Sequence, residues 1–182
     1  HELLATSCAL LDAMDITDTL HVPLEVVQAF LVATQAGYLP TPFHNFSHAV
    51  YVLHGCVMCL RQCPLLHELL SPVEKLALCI AALGHDIGHM GVQNGFLINS
   101  NDPLALQYND RSVLESYHCS RLFAILRMKQ CALLDGLTAD EYRAVRKIII
   151  GMVLATDLSQ HFDDMTRFKT RLQNDKPWSA EA

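Results

Sequence analysis

Leucine, valine, isoleucine and alanine recur at three- and four-residue spacing through most of the chain, so the pattern predicts helices almost everywhere and few strands. "HELLATSCALLDAM" (1–14) and "PLEVVQAFLVATQAG" (23–37) both read as amphipathic helices, the second with Pro23 near its start and Gly37 as a stop. "SPVEKLALCIAAL" opens with Ser71, Pro72 and, three after the cap, Glu74, a capping box leading into an apolar helix. Thr138 and Glu141 repeat the device, as do Ser112 and Glu115, while Asp102 followed by Pro103 marks a further start. The pattern therefore predicts an all-α fold, with helices near 2–14, 23–36, 45–63, 72–84, 112–127 and 139–157. The stretches 15–22, 38–42, 90–101 and 135–138 read as short connections, and no internal repeat or low-complexity tract interrupts them.

With 182 residues, 51% of them hydrophobic, the chain can bury a sizeable core and reads as one domain or part of one. Its longest apolar runs, such as "LALCIAAL" at 76–83, fall short of the ~20 residues of a membrane span, and no basic-then-apolar leader opens the sequence. A cytoplasmic protein without a membrane segment is expected. A formal charge of −6 without a basic patch argues against a nucleic-acid surface. Seven cysteines, an odd number set in apolar helical context, suit reduced thiols better than a disulfide framework. "CVMCLRQC" at 56–63 has zinc-knuckle spacing but no turn-forming glycine, so Cys56, Cys59 and Cys63 are expected to be buried and metal-free.

The candidate chemistry lies in two histidine pairs. "PFHNFSHAVY" carries His44 and His48, and "LGHDIGHMG" carries His85 and His89 with Asp86 behind the first. On helices, residues four apart stand about 40° apart on one face, so each pair can address one point. Imidazole nitrogen suits zinc, whereas carboxylate and water also admit magnesium or manganese. A carboxylate has two oxygens and can bridge two metals ~3.5–4 Å apart. Lone histidines are more often hydrogen-bonded core residues than ligands, and His54, His67, His118 and His161 are expected to be such. Two pairs with an adjacent aspartate, behind a buried helix, are harder to explain as packing, because buried charge is costly without a partner.

"HNFSHA", "HDIGHMGVQNGFLI", "YNDRSVLESYH" and "VLATDLSQH", in this order, resemble the catalytic domain of the class I 3′,5′-cyclic-nucleotide phosphodiesterases, a branch of the HD-type metal hydrolases. The resemblance implies a compact multi-helix catalytic domain holding a zinc and usually a magnesium (or manganese), with cAMP or cGMP hydrolysed to the 5′-monophosphate. It implies that His44 is the general acid at the leaving O3′ and that His48, His85 and Asp86 are metal ligands, Asp86 reaching both ions. His89 would stand near the phosphate and the water between the ions, and Glu115 would hold a water of the metal shell. Asn94 and Asp157 would belong to the pocket. Plainer readings stand beside these: a capping box for Glu115, a salt bridge for Asp157, a turn end for Asn94. "HDIGH" is also close to the H-E-x-x-H peptidase pattern, but that motif would leave "HNFSHA" and "YNDRSVLE" without a role.

Phe43 stands where the family commonly has tyrosine, Gly88 where a second aspartate is frequent, and Met90 where proline is usual. None of these departures removes a metal ligand. After "FKTRLQNDKPWSAEA" the family continues with a further metal-binding aspartate and the glutamine and aromatic residue that clamp the purine. Residues 1–182 are thus expected to be the N-terminal part of one catalytic domain, truncated at its C-terminal side and on its own incomplete for activity. The choice between cAMP and cGMP lies with clamp residues outside this stretch. An apolar face left uncovered would favour association, such as a homodimer. The alternative from another class is a non-catalytic regulatory or assembly module that keeps the scaffold.

Overall fold

In the computed structural model, residues 1–15 and 21–173 are described, and among them there are ten α-helices and no strand. They run α1 Glu2–Asp12, α2 Leu24–Gly37, α3 Phe46–Gln62, α4 Pro64–Leu69, α5 Pro72–Gly84, α6 Asn94–Asn99, α7 Pro103–Tyr108, α8 Val113–Leu126, α9 Ala139–Leu154 and α10 His161–Gln173, with a 3₁₀ turn at Lys129–Cys131.

The centre of the fold is α5. Its capping box forms, with Ser71 Oγ accepting from the Glu74 amide at 3.3 Å and a Glu74 carboxylate oxygen accepting from the Ser71 amide at 2.8 Å. From Leu76 to Gly84 nearly every residue is buried, so α5 is apolar around its whole circumference and must be enclosed. It is enclosed by α3, α8 and α9, while α2 lies across α8 and α1. Gly84 sets the closest approach: a Cβ there would lie 2.6 Å from both methyls of Leu122 on α8. Thr138 and Glu141 form the second predicted capping box and open α9, and Asp102 caps α7 by accepting from the Leu104 amide at 2.8 Å.

Several expectations give way to other physics. Gly37 has no left-handed backbone; it is the last residue of α2, where a Cβ would lie 2.6 Å from Ile87, so close packing, not a stop, demands glycine. Cys63 ends α3 with an extended φ of −119°, as a residue before Pro64 must, and the proline starts the short α4. The stretch 90–101 contains α6, and α9 stops at Leu154, not near 157. Of the connection expected at 15–22, residues 16–20 lie outside the described part. Cys59 and Cys63 are exposed and Cys56 is only half-buried, because α3 buries Leu53, Val57 and Leu60 instead; all seven thiols are free. His54 and His161 are exposed and His67 is half-buried, so of the four expected core histidines only His118 is enclosed. No helix among the described residues is long and apolar enough to cross a membrane.

Candidate metal centre

Neither histidine pair sits on a helix as the spacing suggested. Helix α3 begins at Phe46, so His48 is in its first turn whereas His44 lies in the loop before it. That loop is fixed by its own hydrogen bonds: Thr41 Oγ1 donates to the His44 carbonyl at 2.7 Å, and Asn45 Nδ2 donates to the Thr41 carbonyl at 3.0 Å. Asn45 also caps α3 by accepting from the His48 amide at 3.2 Å. At the other arm His85 is the residue that ends α5, still in right-handed helical conformation, and Asp86 to His89 form a turn beyond it. Gly88 lets the chain turn there, with φ of +79° and no room for a Cβ beside Tyr117.

The two arms meet. His85 Nε2 stands 3.2 Å from His48 Nε2, and Asp86 Oδ2 stands 3.4 Å from the first-arm nitrogen and 3.2 Å from that of His85. Donors around a tetrahedral ion with bonds of about 2.0–2.1 Å are separated by about 3.3–3.4 Å, so this triangle has the size that zinc requires. The tautomers agree: His85 Nδ1–H donates to the Ala82 carbonyl at 2.9 Å, which leaves its Nε2 lone pair facing the centre. Asp86 also belongs to a second group with His89 and His118, whose potential ligand atoms lie within 4.8 Å of one another. His118 Nδ1–H donates to the Ile87 carbonyl at 2.8 Å and turns Nε2 to within 3.9 Å of Asp86 Oδ1. His89 differs, because its Nδ1 accepts from the Gly91 amide at 2.9 Å. A neutral His89 therefore carries its proton on Nε2 and is a donor to whatever lies in front of it.

Protonation follows from burial and neighbours. Burial alone would raise Asp86, but the hydrogen bond and charge of His85, helped by His118 and His44, bring its pKa down to about 2. Burial pulls His118 down to about 4. His48 is lowered by burial and by His85, and His89 by burial and by His44. For His85, burial is outweighed by Asp86 and the Ala82 carbonyl, and its pKa is raised. The Asp86 carboxylate, ringed by mostly neutral imidazoles, is electrostatically prepared for a cation.

The cleft has a volume of about 860 Å³, and His44, His48, His85, Asp86, His89, Asn94, Glu115 and Asp157 all line it. His44 stacks on His89 with ring centroids 3.8 Å apart and 12° between planes. Phe43 covers His48 from outside at 4.7 Å. Ser112 does not cap α8 as predicted: it has a left-handed φ of 41° and donates from Oγ to Asp157 Oδ2 at 2.7 Å. The cap comes from Asn94, whose Oδ1 accepts from the Leu114 amide and whose Nδ2 donates to Glu115 Oε2, both at 2.9 Å. Glu115 is thus held by Asn94, not by Ser112, and burial raises its pKa. His118, read from the sequence as core, is the lining residue that was missed. Its signal was its place one turn after Glu115 on the same helix, facing the same cleft.

Comparison with known proteins adds an independent line. Residues 43–182 match the family described as 3′5′-cyclic nucleotide phosphodiesterase. The chain is 36% identical over 155 residues to the dual 3′,5′-cyclic-AMP and -GMP phosphodiesterase beta of Plasmodium falciparum, covering 85% of this chain and 14% of that protein. It is also 36% identical over 183 residues to the human dual specificity calcium/calmodulin-dependent 3′,5′-cyclic nucleotide phosphodiesterase 1B, covering 97% of this chain and 34% of that protein. Among solved structures, the phosphodiesterase domain of the rhodopsin phosphodiesterase of Salpingoeca rosetta superposes with a TM-score of 0.91 at 35% identity, covering 96% of this chain and 53% of that one. The chain therefore spans about half of the solved domain and at most about a third of these curated relatives.

Proposed function

The chain belongs to the 3′5′-cyclic nucleotide phosphodiesterase family, and from that premise we propose that residues 1–182 are part of a single catalytic domain hydrolysing cAMP, cGMP or both to 5′-monophosphates. The observation that carries this reading is the triangle of His48 Nε2, His85 Nε2 and Asp86 Oδ2, with edges of 3.2–3.4 Å, opening onto the cleft. His48, His85 and Asp86 would hold one ion, zinc by donor type, and Asp86 with water would serve a second, magnesium or manganese. When bound, such ions supply positive charge to the phosphate and lower the pKa of a water between them.

The remaining steps belong to this chain's side chains. His89, with its proton on Nε2, donates to a phosphate oxygen or to the attacking water. His44, stacked on His89 with ring centroids 3.8 Å apart, is the general acid of the pair. As the oxygen of a water that has given up a proton to solvent bonds to phosphorus and the P–O3′ bond breaks, His44 gives its proton to O3′ and the alkoxide never departs free. Glu115, fixed by Asn94, accepts from a water at the cleft wall, and Asp157 with Ser112 sets the turn behind it.

The test is hydrolysis of cAMP and cGMP by the protein that carries this chain, after chelation and after metal is returned. Activity should vanish with chelator and return with zinc plus magnesium or manganese. Asp86→Ala should lose both metal and activity. His44→Ala should keep its metal while losing roughly 10²–10⁴-fold in kcat, the usual contribution of general acid catalysis. No hydrolysis with metals bound would favour the regulatory-module reading instead.

A further inference from the structure

Helix α5 ends in an unusual way, and Tyr38 is where its loose ends meet. In a continuing helix the Asp86 amide would bond to the Ala82 carbonyl, but that carbonyl accepts from His85 Nδ1 instead. The Ile87 amide bonds to Gly84, which leaves the Leu83 carbonyl without a helical donor. Both orphans are satisfied by one group: the Tyr38 hydroxyl donates to the Leu83 carbonyl at 3.0 Å and receives the Asp86 amide at 3.4 Å. Burial raises the Tyr38 pKa, so the phenol stays protonated and able to donate.

The approach is built from α2. Tyr38 is the extended residue that closes that helix, and the preceding Gly37 packs where a Cβ would strike Ile87 at 2.6 Å, so the end of α2 is pressed against the turn bearing Asp86. The Tyr38 ring, itself buried, also packs against Phe46 with centroids 5.9 Å apart, two residues before His48. One side chain thus touches the backbone of one metal arm and the foot of the other. From the opposite side the turn is held by the His118 bond to the Ile87 carbonyl.

We propose that Tyr38 is a positioning residue of the metal centre, setting the separation of the His48 arm from the His85–Asp86 arm through its buried hydroxyl and ring. This rests on the metal-centre reading above. Removing the hydroxyl leaves a buried carbonyl and amide unpaired and frees the Asp86 backbone to move. Losing such support behind a ligand weakens metal binding about 10–100-fold.

The experiment is a zinc titration of thermal unfolding for the chain, Tyr38→Phe and a control, Thr34→Val. Thr34 lies on the same helix, and its buried hydroxyl has no hydrogen-bond partner, so its loss reports the cost of a core change alone. The zinc-dependent rise in Tm should disappear in Asp86→Ala, which assigns it to this site. Tyr38→Phe should need about 10–100-fold more zinc for the same rise, with an unchanged far-UV spectrum, while Thr34→Val should titrate like the unmodified chain. Equal zinc requirements for Tyr38→Phe and the unmodified chain would overturn the positioning role and leave the metal centre standing. No zinc-dependent rise in the unmodified chain would overturn the metal centre itself. Should Tyr38→Phe fail to fold, amide exchange in the metal-free unmodified chain decides: the Asp86 amide should exchange as slowly as those inside α5, and exchange at a free-loop rate would overturn the proposal.

Discussion

At the scale of single residues, the site was legible wherever a side chain's chemistry is expensive to bury. Asp86 and the histidines at 44, 48, 85 and 89 stood out because paired imidazoles beside a carboxylate have few purely structural explanations. Their spacing suggested two helical faces, whereas the structure brings them together through a capped loop and a turn. Tyr38 gave no sequence signal because its role is set by contacts 45 to 48 residues away along the chain. Asp157 tests one such distant contact. It accepts from Ser112 Oγ and the Ser159 amide, and although burial opposes it these bonds lower its pKa. A depressed carboxylate contributes stability that is full above its unfolded value, near 3.8, and is lost as pH falls through the lower folded one. Asp157→Ala should therefore cost about 1.5–3 kcal/mol at neutral pH, as bonds to a charged acceptor do. The gap to the unmodified chain should narrow only below about pH 4, where urea denaturation at several pH values would follow it. A gap independent of pH down to 2 would show that the charge contributes nothing.

At the scale of elements, a cap together with an apolar run fixed α5 to the residue, expected at 72–84 and spanning Pro72–Gly84, and fixed the start of α9 but not its end. The short helices α4 and α6 were not, because six residues carry too few turns for a period to show. Ser112 and Glu115 show how a local motif is overridden, since Asn94 supplies the cap from another helix and leaves Ser112 to Asp157. Helix α5 packs closely on α8 at Gly84. Gly84→Ala would normally favour a helix, yet its Cβ would meet two Leu122 methyls at 2.6 Å. Overpacking of this kind costs about 1–3 kcal/mol, so the substitution should lower stability in a denaturant titration. Because His85 follows directly, it should also weaken zinc binding. A neutral or stabilised Gly84→Ala would mean that Leu122 can move aside freely.

At the scale of the whole molecule, the all-helical fold follows from the periodicity, and the 0.91 TM-score to a phosphodiesterase domain agrees with it. What periodicity could not give is which faces of the bundle are used. The cleft also has an apolar lining, to which Val52, Leu78, Ala81 and Met152 contribute beside the histidines. Of the α3 cysteines, Cys59 and Cys63 are exposed and Cys56 lines the cleft, so these thiols are the competing home for zinc if the geometry above is wrong. The most direct measurement is therefore X-ray absorption at the zinc edge on the chain loaded with one equivalent of zinc. The account predicts a shell of nitrogen and oxygen at about 2.0–2.2 Å, with the imidazole scattering of two histidines, lost in Asp86→Ala. A shell of sulfur at about 2.3 Å, retained in that variant, would place the metal on the cysteines and contradict it.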